Sequence, residues 1–284
     1  MIQVCSMPKI YINDINDMSR LARMTIKAHP RGYIGTVVEG DRGAGKTVFC
    51  LKTQNEVYQY HYGITRDDAW DKVLNDIIFT IDDLIKVLDN LDHLDDYKDK
   101  MGDWWKEQVH ICRVWDDAGM HGGKYKYQVD SHLVDFLQQN LDVFRFIVTG
   151  FYINSPEVGN LLKFIREYHD HTIIKIKHNE IGSGPHEKVA HFMKWKKLRN
   201  RTGHTLVSDP PHQPFSNYLG NVKMLSLNEQ WVYDAYEYKK GEAIRQNRNK
   251  FRKMMKEAEK KEPDKEPADA IGLDPFAKRI LGIE

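Results

Sequence analysis

The residues Gly40-Asp41-Arg42-Gly43-Ala44-Gly45-Lys46-Thr47 satisfy G-x-x-x-x-G-K-[ST] at every fixed position. Glycines at this spacing let backbone N–H groups turn inward around phosphates, where a helix N-terminus adds its positive end. Lys46 is then placed to reach the β- and γ-phosphates, and the Thr47 hydroxyl to ligate Mg²⁺. Val48 closes the segment expected to hold the nucleotide, Gly40 through Val48. An incidental glycine turn before a helix would have a similar composition, so context decides. Here an apolar run, Ile34 to Val38, precedes the motif and a helical run follows it.

A second group of chemistry-bearing residues closes another apolar run. Val109 to Trp115 ends in Asp116 and Asp117. Asp116 is expected to hold Mg²⁺ directly or through water, and Asp117 to orient or deprotonate an attacking water. The bland reading is two aspartates ending a strand; the phosphate loop upstream favours the functional one. A third run, Val143 to Gly150, ends in Thr149-Gly150. Thr149 is therefore the candidate polar residue facing the γ-phosphate or the water, with simple strand termination as its alternative. Arg166 is a candidate arginine finger for a neighbouring subunit, against a plain solvated arginine, and Arg42 points to solvent or to a partner.

The elements that must position these residues alternate. Helices are expected over residues 13–27, 46–60, 82–90, 129–139, 156–169 and 227–261, and strands over 34–38, 77–80, 109–115, 143–150 and 172–177. Asp82 and Asp83 suit a helix N-terminus. Alternation of this kind predicts an α/β fold with a mostly parallel sheet flanked by helices. Beyond Asn179, residues 189–198 and 204–207 read as a hairpin across the 199–203 turn. The expected organisation is an N-terminal helical segment (1–29), a core (30–180), a basic hairpin extension (181–226), a long C-terminal helix (227–262) and a flexible tail (263–284).

Composition narrows the classes. The chain has 284 residues, 41% hydrophobic and 11% aromatic, enough for a sizeable core. Forty-two Lys and Arg balance forty-one Asp and Glu, so overall charge names no partner. Locally it does not balance: residues 171–261 carry nineteen basic against nine acidic residues, while residues 76–103 are acidic. No apolar run approaches the roughly 20 residues that span a bilayer. Met1 to Ile10 lacks the order of a signal peptide, so a cytoplasmic protein is expected. Three cysteines make no disulfide framework, and the thirteen histidines, His169, His171, His178, His186 and His191 among them, show no zinc spacing.

Lys188, Lys194, Lys196, Lys197, Arg199 and Arg201 interleave with Phe192 and Trp195. On a hairpin they could track a nucleic-acid backbone with a ring free for stacking, or form only a solvated hairpin over a small aromatic core. The helix from Lys239 to Lys261 is open to the same two readings.

Two resemblances follow from these residues. The loop Gly40-Asp41 to Thr47 and the segment Trp115-Asp116-Asp117-Ala118-Gly119 resemble the GDxxxGKT and WDxAG motifs of some small GTPases. The Asn-Lys-x-Asp segment that reads guanine is missing after Val148-Thr149-Gly150 and after Lys177-His178-Asn179. The partition-ATPase form needs a second early lysine, where Asp41 and Arg42 stand. More broadly, the chain resembles the RecA-like P-loop ATPases encoded by archaeal viruses, plasmids and integrated elements. That resemblance rests on the phosphate loop, on Val114-Trp115-Asp116-Asp117-Ala118-Gly119-Met120-His121, and on Val232-Tyr233-Asp234-Ala235-Tyr236 after a basic hairpin. It implies ATP and Mg²⁺ as ligands, with Lys46 and Thr47 on phosphate and metal, Asp116 on the metal and Asp117 in the catalytic place, where many such ATPases have Glu. It further implies work on DNA in packaging, transfer or replication; a homo-oligomer is expected, and the tail is a candidate contact for a protein partner. The rival readings are a nucleotide-dependent switch, GTP-selective or not, and a nucleotide-binding assembly protein with little turnover.

Overall fold

The computed structural model describes residues 12–89, 110–118, 135, 139, 144–155, 172–178, 187–197, 204–216 and 227–261. After a short 3-10 turn at Ile15–Asp17, the main elements among them are α1 (Arg20–Ala28), β1 (Ile34–Glu39), α2 (Lys46–Tyr62), α3 (Arg66–Asp76), β2 (Ile77–Ile78), α4 (Ile81–Leu88), β3 (His110–Trp115), β4 (Val148–Asn154), β5 (Thr172–His178), β6 (Glu187–Lys197), β7 (His204–Ser208), β8 (Gln213–Ser216) and α5 (Leu227–Lys261). Of the expected helix over 129–139 only residues 135 and 139 are described, both helical; the expected helix over 156–169, Arg166, the acidic residues 90–103 and the tail lie outside the described residues.

The strands form one mixed sheet in the order β2-β3-β4-β1-β5-β6-β7, with β8 also paired to β6. From β2 to β5 every pairing is parallel. β6 then runs antiparallel to β5, β7 and β8. The fold is thus α/β with a mostly parallel sheet flanked by helices. The hairpin read from sequence is β6–β7, and it continues the same sheet through β5 rather than standing apart from it.

Strand alternation sorts the core into two layers. Val38, Cys112, Val114, Tyr152, Ile174 and Ile176 face the side covered by α1, α2, α3 and the first turns of α5. Val37, Trp115, Phe151, Ile153 and Ile173 face the side covered by α4, Phe144 and Ile147. α2 is the central helix, buried along most of its length from Phe49 to Gln59.

Local chemistry fixes the helix starts. Thr65 caps α3 by accepting from the Asp68 N–H. Thr80 and Asp83 form a reciprocal capping box on α4, the N-terminal role read for the Asp82-Asp83 pair. α1 crosses β4 at Gly150, where an added Cβ would stand 2.8 Å from Thr25 Cγ2.

Two sequence expectations shift. The third strand was expected over 143–150, but residues 144–147 are helical and β4 begins at Val148. The apolar content of Phe144, Ile147 and Val148 is equally at home in a buried helical turn. α3, meanwhile, has no counterpart in the sequence expectations.

Candidate functional site

β1 delivers the chain to Gly40 at the C-terminal edge of the parallel strands, the edge at which open α/β sheets bind ligands. Gly40 has φ 154°, and a Cβ there would sit 2.8 Å from the Ile176 carbonyl oxygen on β5. Only glycine fits. Gly43 (φ 76°) and Gly45 (φ 93°) are also left-handed, and Gly45 is the N-cap of α2 without any side-chain cap. The loop therefore arrives at a helix N-terminus whose backbone donors have no capping side chain, which is what an anion requires.

Lys46 lies inside this loop, 7% exposed, and its Nζ donates to the carbonyls of Gly40 (2.7 Å) and Asp41 (2.8 Å). Burial pulls its pKa down, with Asp117, Asp116 and Asp41 pulling it back up. Asp41, Arg42 and Gly43 form the exposed rim, and Ala44 is buried. Val48 packs its half-buried side chain against the core, so only its backbone is available to the loop.

The Thr47 hydroxyl donates to Asp116 Oδ1 at 2.8 Å. Asp116 stands one residue past β3 and is buried, its backbone N–H bonded to the Ile78 carbonyl. Asp117 follows at φ 48°, a strained backbone for a non-glycine residue, and is partly exposed. Asn154, the last residue of β4, donates from Nδ2 to Thr47 Oγ1 (2.7 Å) and to Asp116 Oδ1 (2.5 Å). β4 lies between β3 and β1, so its C-terminal tip falls between the acidic pair and the loop.

Thr149 does not belong to this group. It sits at the opposite end of β4, where its hydroxyl pairs with His29 Nδ1 at 2.9 Å. The reason is the start of the strand: with β4 running from Val148 to Asn154, Thr149 opens the strand instead of closing it, and Asn154 takes the polar position at the tip.

Two further residues come from α5. Tyr236 Oη donates to Asp116 Oδ2 at 2.6 Å. Lys240 Nζ lies 3.3 Å from the same oxygen, 3.0 Å from Tyr236 Oη and 2.5 Å from Asp117 Oδ2. Burial lowers the Lys240 pKa, but Asp116, Tyr236 and the bond to Asp117 outweigh it and hold the ammonium above its ordinary value. Burial, and then Asp116, push the Tyr236 phenol upward.

Thr47 and Asp116 are hard oxygen donors of the kind Mg²⁺ takes, one or two from the protein with the rest from phosphates and water. Among the described residues no cluster of three or more His, Cys, Asp or Glu could hold a metal by itself.

On β6, Lys194 and Lys196 are exposed, while Trp195 points to the other face and packs with Met193 and Leu206 on the second core layer. Phe192 is fully buried, with the Arg20 guanidinium 4.4 Å above its ring. Strand alternation thus puts Trp195 on the face opposite Lys194 and Lys196, while Phe192 shares their face but is buried. Lys188 is buried, and Lys194 pairs with Asp209 at 2.6 Å. Arg199 and Arg201 lie outside the described residues.

Fold and site together define an α/β protein with a glycine-rich loop and an acidic pair at the C-terminal edge of its parallel strands. No protein-family model matches the chain. It is similar to the uncharacterized protein B-251 of Sulfolobus spindle-shape virus 1, 26% identical over 153 residues, 54% of this chain and 55% of that one. The chain therefore spans about half the length of the curated relative it matches, and the likeness points to a viral origin. No helix among the described residues is long and apolar enough to cross a membrane.

Proposed function

We propose that this chain is a Mg²⁺-dependent P-loop ATPase that couples ATP hydrolysis to work on the nucleic acid of an archaeal virus or a related mobile element. The observation that carries the reading is the bonded set Thr47–Asp116–Asn154, which ties the start of α2 to the tips of β3 and β4 beside a glycine loop. Phosphate binding falls to the loop N–H groups and to Lys46, which exchanges the carbonyls of Gly40 and Asp41 for phosphate oxygens. Thr47 and Asp116 would hold Mg²⁺, which would supply charge neutralisation on the phosphates.

Asp117 takes the water-orienting role. Its single carboxylate stands one residue past the metal-holding one, on a backbone kept at positive φ. Asn154 is placed to report on the γ-phosphate, since it already contacts Thr47 and Asp116. Positioning and charge neutralisation supply most of the catalysis in this reading. The nucleic-acid part rests on the exposed Lys194 and Lys196, the basic residues of α5 and the viral relative.

Phosphate release from ATP and from GTP, with Mg²⁺ and with or without single- and double-stranded DNA, tests the proposal. ATP hydrolysis that rises with DNA is expected. Lys46→Ala should abolish it, and Asp117→Asn should spare ATP binding while slowing turnover. Undiminished hydrolysis in Lys46→Ala would sink the assignment, and a preference for GTP would move it to a switch.

A further inference from the structure

Tyr236 and Lys240 are four residues apart on α5, so they share one face and reach one point. That point is the Asp116 carboxylate. Its two oxygens offer about four lone-pair directions. Thr47 and Asn154 use Oδ1, and Tyr236 and Lys240 use Oδ2. The Lys240 ammonium also bridges to Asp117 Oδ2. A cation approaching the acidic pair meets oxygens whose charge is already answered by α5.

We propose that the Tyr236–Lys240 segment of α5 is a cation-responsive strap, closed over Asp116 and Asp117 in the absence of Mg²⁺-nucleotide and released when it binds. The proposal rests on the phosphate-loop reading above and names how that site is regulated. It meets the requirement that a ligand treat the two states differently: the oxygen it needs is taken in one and free in the other.

The docking of α5 suits release. Among its described side chains Val232 and Tyr236 are buried, with the Tyr236 ring 5.8 Å from that of Phe79. Lys239 holds the end of α3 through the Leu74 carbonyl (3.0 Å) and Asn75 Oδ1 (2.7 Å). From Gly241 onward no described side chain of α5 is buried. Gly241 itself packs against nothing, an added Cβ meeting only Arg245 Nη2 at 4.0 Å, so the helix is weakest just past Lys240. By reciprocity, whatever binds the exposed basic stretch that includes Arg245, Arg248 and Arg252 alters cation affinity at Asp116 as much as the cation alters its binding.

The test combines two measurements. The first titrates Mg²⁺ against a fluorescent ATP analogue held at fixed concentration, in the wild-type chain and in Tyr236→Phe/Lys240→Met, which keeps the ring and the aliphatic stem. The half-saturating Mg²⁺ should fall about tenfold in the variant, the effect of one charge-assisted contact no longer competing. The second follows amide hydrogen exchange of residues 230–245 in the wild type. Protection should drop with Mg²⁺ and nucleotide and stay unchanged with nucleotide in EDTA. This measurement alone decides if the variant does not fold. Nucleotide binding that depends on Lys46 while the Mg²⁺ midpoint and α5 exchange stay fixed overturns the strap and leaves the ATPase reading standing. A midpoint that rises in the variant also overturns it, because Lys240 then assists the cation. Absence of nucleotide binding in both proteins removes the underlying reading and the strap together.

Discussion

Asp116→Asn changes one oxygen to an amide nitrogen in a side chain that is fully buried and contacted by four donors. Asparagine has one acceptor oxygen, so either the Thr47 and Asn154 pair or the Tyr236 and Lys240 pair then faces N–H. Two bonds to a charged acceptor are lost, each contributing roughly 1.5–3 kcal/mol. The Tyr236 hydroxyl can rotate to accept, and a neutral amide is easier to bury than a carboxylate, which together offset about half. The expected result is destabilisation of about 1.5–3 kcal/mol, and a melting temperature lower by roughly 3–12 °C for a chain of this size. Thermal and urea unfolding, both in EDTA without nucleotide, measure it. The sign is what matters. A buried carboxylate kept only as a metal ligand, with no donors of its own, would be strained in the empty protein, and its neutralisation would stabilise the fold. An unchanged or raised melting temperature in Asp116→Asn therefore refutes the bonding described here. Asp117→Asn should do less, because Asp117 is partly exposed and its ion pair is with Lys240.

Gly40→Ala should lower stability by about 2 kcal/mol and abolish nucleotide binding, since its Cβ meets the backbone of β5 at an already left-handed φ; wild-type urea midpoints would contradict the close approach. Arg113 Nη2 lies 2.8 Å from His110 Nδ1 and donates to it, so that nitrogen must carry its lone pair. Burial, and then Arg113, lower the His110 pKa to about 4. The folded state therefore binds fewer protons than the unfolded chain between about pH 4 and 6.5, and stability present above that window is lost as pH falls through it. Urea midpoints across this range should fall more steeply in the wild type than in His110→Asn, by roughly 2 kcal/mol after allowing for partial solvent access; parallel curves would count against it. Gly241→Ala should stabilise the chain by about 1 kcal/mol, read as a higher urea midpoint, because nothing occupies the space its methyl enters.

The contrast between Thr149 and Asn154 shows where sequence reading stops. The glycine loop and the acidic pair are local patterns: each needs only a strand before it and a turn after it, and both are visible in eight or nine consecutive residues. The parallel α/β character follows from the same alternation. Placing the polar residue of β4 needs the position of that strand's end, and the run Phe144 to Asn154 is apolar on both sides of Val148. Periodicity cannot divide such a run into helix and strand, because both layers of the sheet are buried. The internal glycine, Gly150, invites an early stop, yet it is there because α1 crosses the strand at Thr25. The signal for Asn154 was the dipeptide Asn154-Ser155 before Pro156, a turn signature at the true end of the strand. Tyr236 and Lys240 carried a weaker one. In a helix crowded with Lys, Arg and Glu, a lysine one turn after a tyrosine reads as a solvated pair, and only the fold brings it across to Asp116, 124 positions away in sequence. In the basic hairpin, rings and lysines that are neighbours in sequence are divided by the two-residue period of β6, which sends Trp195 to one face and Lys194 and Lys196 to the other, with Phe192 on the lysines' face but buried. The patterns legible in advance were therefore those built from consecutive residues, and the contacts of Tyr236 and Lys240 with Asp116 depend on which helix closes over the strand ends.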